Sequence, residues 1–131
     1  MAEEKPSKSK NAGSITRLLR ASANSLEGLR VEFSQEPAFR LEVYLSVILV
    51  PVALLLPVPP LSRALLIGSL FLVMIVELIN CALESTVDYI SVKRDPRAKR
   101  IKDAASGAVF IAIANAVIIW AVIIFTSLRG S

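Results

Sequence analysis

The chain reads as an all-α integral membrane protein, with three transmembrane helices preceded by an N-terminal amphipathic interfacial helix, and three observations predict this. It is 131 residues long and 54% apolar, so three spans leave almost nothing for a soluble domain. Its apolar residues fall into three runs which, with their flanks, approach the roughly 30 Å of a hydrocarbon core. Its basic side chains collect at the edges of those runs.

Taken in order, residues 1–14 (MAEEKPSKSKNAGS) are polar and rich in helix breakers, and are expected to form a flexible tail. They lack the apolar core of a signal peptide. The remainder, 15–131, is expected to be one membrane unit. Over 15–33, Ile15, Leu18, Leu19, Leu26, Leu29, Val31 and Phe33 alternate with Arg17, Arg20, Glu27, Arg30 and Glu32. That spacing suits a helix lying in the membrane interface, although a solvated helix packed on the spans has the same pattern. Gly28 weakens its middle.

Pro37 stands where a first helical turn tolerates proline, so the first span is expected over 38–57. Glu36, Arg40 and Glu42 fall at its membrane edge, pairing with one another or facing the level of Glu84. Pro51 removes a backbone hydrogen bond and should bend this helix. The short turn at Pro57, Pro59 and Pro60 makes the second span, 62–90, an antiparallel neighbour. Gly68 and Ser69 supply it with a narrow packing face. The third span is expected over 103–128, with small residues from Ala104 to Ala108, Asn115 available to another helix, and Trp120 deeper along it.

Ser91 to Asp103 holds six Lys or Arg residues against two Asp, whereas the turn between the first two spans has only Arg63. The positive-inside rule puts the N-terminus and this loop in the cytoplasm and the C-terminus outside.

With no histidine, imidazole-based triads and zinc sites are excluded; with Cys81 alone, so is an intrachain disulfide. A net charge of +4 placed at membrane edges, without interleaved aromatics, favours lipid headgroups or a phosphorylated substrate over nucleic acid.

The chemistry concentrates in VELINCALESTVD, Val76 to Asp88. Offsets of three, seven and eleven from Glu77 align Asn80, Glu84 and Asp88 on one side of a helix. Carboxylates are costly in hydrocarbon, so an aligned set indicates a functional site and an oligomer that encloses it. Glu36 and Glu84 stand at the cytoplasmic edge, where carboxylates can hold Mg2+, and Arg17 and Lys102 can meet phosphates there. Glu77 lies deeper, at the level of a lipid hydroxyl whose proton it can accept. Asn80 can bond Glu77 or the acceptor, and Asp103 can position Lys102 or a substrate group. The arrangement suggests phosphoryl transfer from a water-soluble donor to a lipid, with no GxxxxGK, HRD or DFG motif to support a familiar nucleotide fold. An oligomeric proton or ion conductor lined by Glu77, Asn80 and Glu84, or a structural scaffold, remains open from the residues alone.

VELINCALESTVD resembles the VEhhNsAhEshVD signature of the prokaryotic diacylglycerol kinase family, where h is apolar and s small, at Glu77, Asn80, Glu84 and Asp88. The similarity runs from Arg17 to about Trp120, through EGLR at Glu27 to Arg30, EPAFRLE at Glu36 to Glu42, and Lys102 with Asp103. The resemblance implies a homotrimer in the bacterial inner membrane with composite sites between subunits, and ATP-dependent phosphorylation of diacylglycerol to phosphatidic acid. It implies Glu77 as catalytic base, Glu36 and Glu84 as magnesium ligands, and Arg17, Lys102 and Asp103 as ATP contacts, with Ser106 and Trp120 approaching the lipid. Undecaprenol is the alternative acceptor within the same superfamily. The chain departs from the family pattern at the basic VKRDPR, Val92 to Arg97, at Asn24 on the nucleotide side, and at its AASG order.

Overall fold

A computed structural model describes residues 8–130, and among these every regular element is α-helical. The helices are α1 (Lys8–Gln35), α2 (Pro37–Leu55), α3 (Pro60–Ile90) and α4 (Pro96–Arg129). They divide into two compact units, one ending at Gln35 and the other running from Glu36 onward.

Helix α1 is longer than the expected 15–33. The tail expected over 1–14 lies outside the described residues up to position 7, and from Lys8 the chain is already helical. No proline interrupts 8–35, and each residue added to an existing helix fixes one backbone for one hydrogen bond, so helix propagates through Lys8 to Ser14 and across Gly28. The side chains of Ser22 and Ser25 bond back to the carbonyls of Leu18 and Ala21 at 2.9 and 2.8 Å.

Helices α2, α3 and α4 are each long and apolar enough to cross a membrane. Each begins on a proline, Pro37, Pro60 or Pro96, whose missing N–H would be unpaired in a first turn anyway. Helix α2 continues through Pro51 and ends at Leu55. There the Arg63 guanidinium reaches back and donates to the carbonyls of Ala53 at 3.2 Å and Leu56 at 3.0 Å. Carbonyls at a helix C-terminus have no partner within the helix, and a cation also complements the dipole at that end.

The third span begins seven residues before the expected position 103, because the charged run after Pro96 is helix rather than loop. Asp95 caps it, its carboxylate accepting from the Arg97 backbone N–H at 2.8 Å. The charges of this first part of α4 are matched rather than left to repel: Lys99 pairs with Asp103 one turn on at 2.6 Å, and Lys102 pairs with Asp88 of α3.

Helix α3 is central, packing against both α2 and α4. Val73 meets Ala112 and Ala116, small residues that let the α3 and α4 backbones approach. Toward the opposite end, Ala53, Leu66 and Ile123 form a second cluster joined by Leu56, Val58, Ile119 and Trp120. The Trp120 indole N–H donates to the Leu66 carbonyl at 3.2 Å, locking α4 to α3 at that level. Because α2 and α4 both pack on α3, the space between them over α3 stays open.

Candidate active site

The polar stripe of α3 is graded by depth. Glu77 is 6% exposed and Asn80 8%, whereas Glu84 is half-buried and Asp88 exposed. At about 1.5 Å per residue, Glu84 lies roughly 10 Å nearer the polar end than Glu77. The grading follows from α3 leaving the bundle: Val73 and Val76 pack below Glu77, while Glu84 and Asp88 emerge beside the α3–α4 connection.

Glu77 Oε1 accepts from the Cys81 thiol at 3.8 Å, one turn along the same helix. Asn80, expected to bond Glu77 or the acceptor, has its Oδ1 buried with no hydrogen-bond partner among the described residues. A buried amide oxygen left unpaired is costly, so this position favours a donor brought by a ligand or a neighbouring chain.

The open space over α3 is a cavity of about 570 Å³. Its walls are mostly apolar, with Leu45, Leu49, Val73, Ile113 and Val117 among them, and its polar side chains are Glu42, Ser46, Glu77 and the indole of Trp120. This is the form of an amphiphile site, a few polar groups set into a hydrocarbon-like wall. Glu42 was expected at the membrane edge, paired or facing Glu84. It lines the cavity with Glu77 instead, and its Oε2 is buried without a partner among the described residues. The signal lay in the sequence: Ala38, Glu42, Leu45 and Leu49 recur at helical spacing, so Glu42 shares a face with apolar neighbours. Ser46, on the same face, donates weakly to the Met74 sulfur at 3.8 Å.

A second cavity of about 660 Å³ lies at the α3–α4 connection, between Asp88, Lys93, Arg94, Asp95, Lys102 and Asp103. The Arg97 side chain, and then its backbone N–H, hold the Asp95 carboxyl below the usual carboxylate range. Lys102 and Asp103 both belong to this cavity, but their partners are Asp88 and Lys99 rather than each other.

Of the other expected site residues, Glu36 is the N-cap of α2 and makes no side-chain capping bond. Glu84 has neither a hydrogen bond nor an ion pair among the described residues. Both carboxylates are thus uncommitted, and oxygen ligands of this kind suit a hard divalent cation. Arg17 and Asn24 lie exposed on α1. Ser106 is exposed on α4, and Trp120 is half-buried on the cavity wall. Asn115 is half-buried and, among the described residues, bonds no other helix.

Comparison with known proteins agrees with this organisation. The family described as prokaryotic diacylglycerol kinase matches residues 23–124. A diacylglycerol kinase of Pseudomonas aeruginosa is 44% identical over 119 residues, covering 91% of this chain and 97% of the relative. Diacylglycerol kinases of Haemophilus influenzae and Escherichia coli are each 40% identical, over 85% and 88% of this chain and 94% and 95% of theirs. A match over most of the chain and nearly all of each relative, taken with three spans and a buried carboxylate stripe, means that the chain belongs to the prokaryotic diacylglycerol kinase family.

Proposed function

We propose that the protein transfers the γ-phosphoryl group of ATP to diacylglycerol, yielding phosphatidic acid, and works as a homotrimer in the bacterial inner membrane with its N-terminus in the cytoplasm. The observation that carries this reading is Glu77, a buried carboxylate on the wall of a largely apolar cavity, with the uncommitted Glu84 two turns nearer the polar end. A lipid alcohol enters from the bilayer and a nucleotide from water, so a base at that depth and anion-handling groups above it suit both reactants.

In this reading the Glu77 carboxylate takes the hydroxyl proton as the hydroxyl oxygen bonds to the γ-phosphorus. The bond from that phosphorus to the β–γ bridging oxygen breaks and ADP leaves. Glu77 then releases its proton to water. Little covalent chemistry is asked of the protein beyond holding the two reactants in line. Glu36 and Glu84 would hold magnesium, which when bound screens the triphosphate charge. Arg17, Lys102 and Asp103 engage the nucleotide, with Asn24 on that side, and Lys102 is paired with Asp88 of α3. Asn80 orients the acceptor or Glu77, and Ser106 and Trp120 meet the lipid.

The test is E77Q, which keeps shape and removes the ionisable oxygen. Assayed for phosphatidic acid in lipid bicelles, it should lose about 10²–10⁴-fold in kcat, the range of a general base, while assembly is retained. Wild-type turnover in E77Q overturns the assignment. E84Q should shift the magnesium dependence of turnover to higher concentrations; an unaltered magnesium titration removes Glu84 from the metal site.

A further inference from the structure

The proposed reaction uses Glu77 but leaves the second carboxyl of the same cavity without a task. Glu42 comes from α2, Glu77 from α3, and the cavity between them is walled by aliphatic side chains of all three bundle helices. Among the described residues no basic side chain lines that cavity, so neither carboxyl has a cation facing it there. Glu42 Oε2 is shut off from solvent and has no hydrogen-bond partner among the described residues.

Two carboxylates facing one hydrocarbon-walled cavity would repel each other, so with Glu77 ionised as the base Glu42 stays the un-ionised acid, which needs only one acceptor for its O–H. An acceptor is what a glycerolipid brings. Beside its single hydroxyl, diacylglycerol carries ester carbonyls on the adjoining glycerol carbons; a polyprenol carries none. A site built around a hydrogen bond rejects an analogue that lacks the matching group more strongly than a purely apolar pocket rejects a change of shape.

We infer that Glu42 is a specificity-determining residue for the acceptor, donating from its carboxyl to an ester carbonyl of the glycerolipid while Glu77 faces the hydroxyl. The inference rests on the kinase reading above and deepens it, because it selects an ester-bearing glycerolipid over a long isoprenoid alcohol. Ser46, one turn further along the same face of α2, marks where the polar lining ends and the acyl chains begin.

The experiment compares 1,2-dioleoylglycerol with its 1,2-di-O-oleyl ether analogue, which has the same hydroxyl and chains but no carbonyl, and with undecaprenol. Wild-type protein should prefer the ester over both by about tenfold or more in kcat/KM. E42Q keeps an N–H donor without charge and should keep that preference; E42L has no donor and should bring the ester-to-ether ratio to within about twofold of one. A wild-type protein indifferent to the ester overturns the inference, and this requires no variant to fold. So does E42Q losing the preference like E42L, which would make Glu42 act as a charge. An E42L protein with the wild-type ratio but a weakened oligomer also overturns it and gives the cavity to a neighbouring subunit. Failure of the kinase reading is seen separately, as wild-type protein that transfers phosphate from ATP to none of the three alcohols.

Discussion

Glu77 and Asp95 are both acids on or beside helices, yet their surroundings set them opposite tasks. Glu77 is enclosed by aliphatic groups and, among the described residues, is bonded only by a thiol. Asp95 lies at the polar end, where three donors of Arg97, two on its side chain and its backbone N–H, favour its charged form. Its carboxyl is held below the usual range in the folded chain, so its contribution is fully present above the unfolded value and is lost as pH falls through the folded one. Acidification below the ordinary carboxylate range should therefore fray the start of α4, and D95A should do so at neutral pH. Amide hydrogen exchange at Ala98 and Lys99 measures both, and equal protection in D95A would remove the cap from the account. Glu42 belongs with Glu77. Its neighbours in sequence, Arg40 and Leu41, made edge pairing a reasonable expectation, and only its neighbours in space show a carboxyl turned into the bundle.

At the scale of elements, the charged segment before the third span shows how far composition can mislead. Six basic residues in thirteen positions look like a loop, but Asp95 followed by Pro96 is a helix start, and pairing to Asp88 and Asp103 removes the repulsion that would oppose it. The other end of the bundle depends on Arg63, whose bonds to the last carbonyls of α2 hold the α2–α3 turn. R63M should destabilise the fold by roughly 1.5–3 kcal/mol, the worth of hydrogen bonds to a charged group, read as a lower thermal midpoint in detergent. The α3–α4 seam depends on small side chains instead. Ala112→Leu should overpack it against Val73 and cost about 1–3 kcal/mol, and an unchanged midpoint would show that the seam has room to spare.

Over the whole molecule, large apolar side chains are exposed along α2 and α4, among them Val47, Ile48, Phe110, Ile111 and Ile118. In a membrane these face lipid or other copies of the chain, and a bilayer offers no hydrophobic penalty that would force the choice. The unpaired Asn80 oxygen and the open cavity between α2 and α4 favour other copies around part of that surface. Native mass spectrometry from detergent should give three chains per particle, and a monomer retaining full kinase activity would end the composite-site reading. The spans, their antiparallel order and the acidic stripe on α3 were all determined by the sequence alone, because hydropathy and a 3.6-residue period are local properties that no later folding can rearrange. Which carboxyls share a cavity, which acid holds Lys102, and where Trp120 places its N–H were decided only in the tertiary structure. Each of those depends on the rotation of one helix about its axis against another, and that rotation is set by the sum of many small contacts along the seam rather than by any single motif.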